Sequence, residues 1–217
     1  MSTTTQVKVC GLTNGADAEL AVELGCDFLG FIFYRKSPRA ISPAAFRELR
    51  PHLSAANRVY VQVRPDPEDL RAAADEGFEF FQLHFSAGED LRLIEAWAEI
   101  VSPPKLWLAP KIAPGEDFPE QLRDYAETFL IDTYRKESFG GTGETGDWTR
   151  FREWSELSPD KRWVLAGGLK PENIVEAIRA TGAGVVDVSS GIEERPGKKD
   201  HVRMRAFFAA VKGSSSP

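Results

Sequence analysis

Cysteine and histidine are scarce in this chain of 217 residues, which has two cysteines, Cys10 and Cys26, and three histidines. So few residues, at no metal-like spacing, speak against a disulfide framework and a zinc site, and no metal is expected. A run of about 18 apolar residues is also missing, so no segment is expected to span a membrane. Positive charge is in deficit, with 27 Lys+Arg against 33 Asp+Glu and a net charge of -6, which argues against nucleic acid or an anionic membrane as a partner. A small anionic ligand stays compatible with that balance, because a local amide-rich or basic pocket outweighs a weakly negative surface. Residues 1–5 hold no basic region leading into an apolar stretch, so no signal peptide is expected and the expected location is cytoplasmic.

What is present is alternation. Short apolar runs fall at residues 7–10, 28–33, 58–63, 80–83, 106–112, 128–132, 163–166 and 185–188, with amphipathic segments between them. Runs rich in Val, Ile, Leu and Phe suit strands buried on both faces. Helix starts are legible at Asn14 and Asp17, at Ser42-Pro43, at Asp66-Pro67 and at Lys170-Pro171-Glu172. Gly25 and Gly77 are placed to end helices in a left-handed cap. Met204, Phe207, Phe208 and Val211 make the apolar stripe of a last helix. Eight βα units predict an α/β fold, a single (βα)8 TIM barrel over residues 1–212 followed by a flexible tail at 213–217. An open doubly wound sheet competes less well, since no Gly-x-Gly-x-x-Gly follows the first strand. The proline-crowded fifth unit and the long stretch 134–146 are the least regular parts, and the latter reads as a working loop.

In such a barrel the substrate meets the C-terminal strand ends. Glycine-rich segments follow strands six, seven and eight, containing Gly141 and Gly143, Gly167 and Gly168, and Ser190-Gly191. Glycine lets several backbone N–H groups converge on one anion, so the three together point to phosphate. Asp132 ends an apolar strand, where an unpartnered carboxylate is costly. Cys10 ends the first strand, placing a thiol and a carboxylic acid on opposite sides of the mouth. From spacing alone Cys10 is equally a small buried hydrophobe. Arg39 suits a carboxylate or phosphate but is also read as a solvated surface charge. Lys8 either adds positive charge beside Cys10 or is paired inside the barrel. His84 is an acid–base candidate or a hydrogen-bonded structural histidine. Cys26 lies on the opposite, stability face.

The motifs Lys8-Val-Cys-Gly-Leu-Thr13, Ser37-Pro-Arg39, Gln82-Leu-His84, Gly140-Gly-Thr-Gly143, Leu165-Ala-Gly-Gly-Leu169, Val185-Val-Asp-Val-Ser-Ser-Gly191 and Gly197-Lys-Lys-Asp200, in this order, resemble the phosphoribosylanthranilate isomerases of tryptophan biosynthesis. The resemblance implies a cofactor-free Amadori rearrangement of a small phosphoribosyl substrate, by a monomer or homodimer. Carried onto this chain, it puts the general base on Cys10, the general acid on Asp132, the anthranilate-carboxylate contact on Arg39 and the phosphate on the glycine-rich loops, with His84 among the substrate contacts. A thiol ordinarily titrates near ~8.5, so the setting of Cys10 is expected to favour thiolate, and burial to keep Asp132 protonated.

Three departures are visible. Phe85 stands where the family usually has glycine and is expected either to narrow the anthranilate pocket or to fold that loop differently, Arg64 adds a cation at the rim, and Gly146 replaces the usual Phe before Asp147-Trp148. Two other readings follow. One is a non-catalytic phosphosugar-binding barrel with Phe85 as its cause. The other is a related aminoaldose isomerase of histidine biosynthesis, whose two carboxylates contrast with the thiol here.

Overall fold

Strands form where the apolar runs lie, because each run can be covered on one face by a crossover helix and on the other by its neighbours inside a closed sheet. In the computed structural model, which describes residues 5–53, 56–113, 115–132 and 147–214, they are β1 (Gln6–Cys10), β2 (Phe28–Ile32), β3 (Asn57–Val63), β4 (Phe80–Ser86), β5 (Leu106–Lys111), β6 (Thr128–Asp132), β7 (Arg162–Ala166) and β8 (Val185–Val188). Each pairs in parallel with the next, and β8 returns to β1 through Lys8↔Asp187 and Val9↔Val188. This is the expected (βα)8 barrel, and closure excludes the open sheet. Most bounds fall within a residue of expectation. β4 is longer, adding Phe85↔Pro110 and Ser86↔Lys111 to its pairing with β5.

The crossovers carry α1 (Gly15–Glu23), α2 (Pro43–Leu49), α3 (Pro67–Ala74), α4 (Leu91–Val101), α5 (Trp148–Leu157), α6 (Ile174–Thr181) and α7 (His201–Ser214). Asn14 and Ser42 cap as expected, accepting from the N–H of Asp17 and Ala45. Gly25 and Gly77, at φ +90° and +83°, turn the chain after their helices. α6 starts later than its Lys170-Pro171-Glu172 signal, after a turn in which the Asn173 side chain joins Lys170 N–H to the Gly168 carbonyl. The fifth crossover differs most. Its described part holds the 3-10 helix Glu120–Asp124, preceded by Pro119, in place of an α-helix. No described helix is long and apolar enough to cross a membrane.

Strand alternation sorts the side chains into two sets. Val9, Phe31, Tyr60, Leu83, Phe129, Leu165 and Val188 belong to the large core between sheet and helices. Cys10, Phe28, Val61, Trp107, Leu130 and Val164 belong to a separate cluster inside the barrel. Within it Phe28, Phe80 and Trp107 meet edge-on or tilted at 5.0–5.6 Å and fill the end where the strands begin. Toward the other end the inward positions shrink to Gly30, Ala109 and Ala166, which leaves room at the C-terminal mouth.

Candidate active site

Cys10 and Asp132 both occupy inward positions at that mouth. Cys10 belongs to the interior cluster, and Asp132 has the parity of Leu130, two residues earlier on β6. They stand on β1 and β6, three pairings apart through β8 and β7. Asp132 is exposed. The described residues do not supply the burial expected to keep it protonated.

Cys10 is buried among charges. Two residues earlier, Lys8 points to the same side of β1 and is fully buried, its Nζ 2.9 Å from Asp187 Oδ1 on β8. Lys8 is paired inside the barrel and also stands beside Cys10, so both readings are realised. Burial pushes the Cys10 thiol up, Lys8 opposes that, Asp187 reinforces it and Lys199 opposes it. The balance is upward, against the expected preference for thiolate, because desolvation outweighs the neighbouring ammonium. Burial also works against the charge of Lys8, but Asp187 and then Cys10 hold that ammonium above the ordinary lysine range.

Arg39 is not a solvated surface charge. Its Nε and Nη2 donate to both carboxylate oxygens of Glu193 at 2.8 and 2.6 Å, a paired contact 154 residues apart in sequence. The side chain lies over the residue after Cys10, so a Cβ on Gly11, whose φ is +74°, would come within 2.7 Å of Arg39 Cδ. Glu193 also accepts at 3.0 Å from the buried Lys199 Nζ, which donates further to the Cys10 carbonyl at 2.6 Å and the Ser189 carbonyl at 3.3 Å. The segments after β1, β2 and β8 are thereby joined at the rim. The Nη1–Nη2 edge of a guanidinium held in this way is geometrically distinct from the edge that Glu193 takes.

His84 is inward and half-buried, with its pKa lowered to about 4 by burial and by Lys8. Its Nε2 lies 2.7 Å from Gln82 Nε2, so with the amide donating the ring nitrogen accepts, as a neutral imidazole requires. It is a neutral polar group near neutral pH. Phe85 is turned the other way. It packs at 4% exposure in the outer core, edge-on to Trp97 of α4 at 5.7 Å. A ring at this position cannot narrow the pocket, since the parity of β4 sends residues 82 and 84 inward and 85 outward. Arg64 is exposed and bound to Glu89 at 2.7 Å, its φ of +45° marking a tight turn out of β3.

The loop after β7 carries Gly167 and Gly168 at φ +94° and +65°, conformations that favour glycine. Ser190 and Gly191 open the 3-10 helix Ser190–Ile192 after β8. A Cβ on Gly191 would fall 1.9 Å from the Leu169 carbonyl oxygen, so this glycine is needed where the β7 and β8 loops touch. The candidate positions Gly141 and Gly143, the working loop 134–146 and the departure at Gly146 lie outside the described residues. Cys26 is buried at the far end of the barrel, its Sγ donating to the Phe28 carbonyl at 3.0 Å, and burial holds its thiol at about 12.

Asp187, Glu193 and Lys199 were not singled out from the sequence. For Asp187 a signal existed: it interrupts the apolar run of β8 as Lys8 interrupts that of β1, and a closed barrel makes those strands neighbours. Lys199 had none beyond its place in a motif, and Glu193 had none.

A family model described as N-(5'phosphoribosyl)anthranilate (PRA) isomerase matches residues 7–210. The N-(5'-phosphoribosyl)anthranilate isomerase of Geobacter sp. (strain M21) is 38% identical over 213 residues, covering 96% of this chain and 98% of the relative. The crystal structure of phosphoribosyl anthranilate isomerase from Thermotoga maritima is 37% identical with a TM-score of 0.80, covering 96% of this chain and 99% of that one. A phosphoribosyl anthranilate isomerase solved in complex with reduced 1-(o-carboxyphenylamino)-1-deoxyribulose 5-phosphate is 34% identical with a TM-score of 0.76, at the same coverage.

Proposed function

Since the chain belongs to the phosphoribosylanthranilate isomerase family and is an isomerase of tryptophan biosynthesis, we propose that Cys10 is its general base and Asp132 its general acid. The reaction converts N-(5'-phosphoribosyl)anthranilate to 1-(2-carboxyphenylamino)-1-deoxyribulose 5-phosphate, with no net change of oxidation state. Asp132 protonates the ribose ring oxygen, the C1'–O bond breaks, and the anilino nitrogen lone pair forms the iminium. The Cys10 thiolate removes the C2' proton, and the released electron pair neutralises the nitrogen to give an enolamine. That enol tautomerises to the C2' ketone. One acid and one base suffice, each contributing about 10²–10⁴-fold.

The observation that carries this reading is that a thiol and a carboxylate occupy inward positions on opposite sides of one barrel mouth lined by small residues. Arg39 takes the anthranilate carboxylate on its Nη1–Nη2 edge while Glu193 fixes the guanidinium plane. Neutral His84 contacts the substrate as a hydrogen-bonding group. The phosphate rests on the amides of Gly167, Gly168, Ser190 and Gly191, together with Gly141 and Gly143. The outward Phe85 removes the ground for a non-catalytic binding barrel. Expressed in a tryptophan auxotroph lacking this step, the chain should restore growth, and Cys10→Ala or Asp132→Asn should abolish it with the purified variants folded. Undiminished turnover by either variant would remove that residue from its role.

A further inference from the structure

The base needs a thiolate, and burial of Cys10 disfavours one. An opposing charge close to the sulfur has to come from the protein, and the structure offers one at a position that strand geometry dictates. Residues 8 and 10 of β1 share a face, so the lysine stem rises beside the thiol. β2 opposes them with Lys8↔Phe28 and Cys10↔Gly30. A Cβ built on Gly30 would lie 3.0 Å from Cys10 Sγ and 3.0 Å from Lys8 Nζ, so sulfur and ammonium are no further apart than twice that distance. Gly30 is thus the gap into which both groups lean, and a side chain there would crowd both of them. Asp187 grips the same Nζ from β8 at 2.9 Å, which keeps the ammonium charged without its ever reaching solvent.

We infer that Lys8 is a positioning residue for proton abstraction: anchored by Asp187 and admitted by Gly30, its ammonium stands beside the Cys10 sulfur and stabilises the thiolate that takes the substrate proton. This rests on Cys10 being the base. The groups facing the thiol are Lys8 from its own strand, Asp187 from β8, Lys199 from the segment after β8 and Arg39 from the segment after β2. His84, from β4, faces Lys8. Of these cations Lys8 has the strongest hold on the thiol, sharing its face of β1, whereas the likewise buried Lys199 acts more weakly. Lys199 binds the Cys10 carbonyl and Arg39 is clamped by Glu193.

A buried ion pair can instead be purely architectural, and the two roles predict different outcomes. If the pair only holds the barrel together, removing either partner has the same consequence. If Lys8 acts on the thiol, removing the cation and removing the anion have opposite consequences. The measurement is the pH titration of thiolate ultraviolet absorbance, taken as a difference against Cys10→Ser, together with the acid limb of kcat/KM. Cys26 stays silent below its value of about 12. Lys8→Met should move both readings upward by about one to three pH units, and Asp187→Asn should move them down, because the thiolate then takes over from Asp187 as partner of the buried ammonium. The double variant Lys8→Met/Asp187→Asn removes both charges at similar volume, a change buried pairs often tolerate, and should titrate between wild type and Lys8→Met. Should Asp187→Asn fail to fold, the other two variants decide. An unmoved thiol titration in Lys8→Met and in the double variant overturns the inference and leaves the base assignment standing. Activity surviving in Cys10→Ala overturns the base assignment, whatever the titration reads.

Discussion

At the scale of single residues, direction across the strand decides chemistry. His84 and Phe85 are adjacent, yet one faces the barrel interior beside Lys8 and the other Trp97. The pH dependence of stability should show the first. His84 titrates at about 4 in the folded protein against 6.5 when unperturbed. As pH falls through 6.5 the unfolded chain therefore takes up this proton first. The contribution of neutral His84 is complete above 6.5 and is lost progressively down to about 4. His84→Gln should lose less stability than wild type between those values in urea melts; parallel losses would show that the ring is not desolvated in this way. Which of the two faces inward was not read from the sequence, which put Phe85 at the pocket; the bounds and parity of β4 decide it. Nor was the direction of the Cys10 shift legible, since it depends on how desolvation and the neighbouring charges balance.

At the scale of elements, most strands, two of the caps and both helix-ending glycines were readable, because they rest on local backbone chemistry. The fifth crossover was not, since a helix exists there only to the extent that tertiary contacts reward it. Among the described residues of that stretch only Phe118, Leu122 and Ala126 are buried, and a 3-10 turn is enough to deliver them. The loops after β7 and β8 are elements whose meaning changed. Gly191 suggested a ligand's approach, but its Cβ would strike the Leu169 carbonyl. Gly191→Ala should therefore lower stability by about 1–3 kcal/mol, as overpacking against backbone does, and should also raise KM for the phosphorylated substrate. Thermal melts and steady-state kinetics check the two parts separately. A melt equal to wild type would mean the loops part without cost.

For the whole molecule the decisive event is closure, which brings the chain's two ends to one place. Asp17, buried in α1, accepts from Lys199 N–H at 2.9 Å and from His201 Nε2 at 2.8 Å, contacts 182 and 184 residues apart. Asp17→Ala leaves that buried N–H without its acceptor, so stability should fall by about 1–3 kcal/mol. At this chain length that lowers Tm by roughly 2–4 °C per kcal/mol, and calorimetry measures it. An unchanged Tm would mean that the ends close without this carboxylate. By itself the sequence determined that there are eight strands, where most begin and end, and that a thiol and a carboxylate stand at strand ends. Those properties follow from alternation and turn chemistry within a few residues. Only the tertiary structure decided that Lys8 meets Asp187, that Arg39 is gripped by Glu193, and that Lys199 reaches the Cys10 carbonyl. Such partners lie more than 150 residues apart, and no local preference encodes their meeting. It is set when β8 closes onto β1 and confines each buried charge to whatever opposite charge the barrel brings beside it.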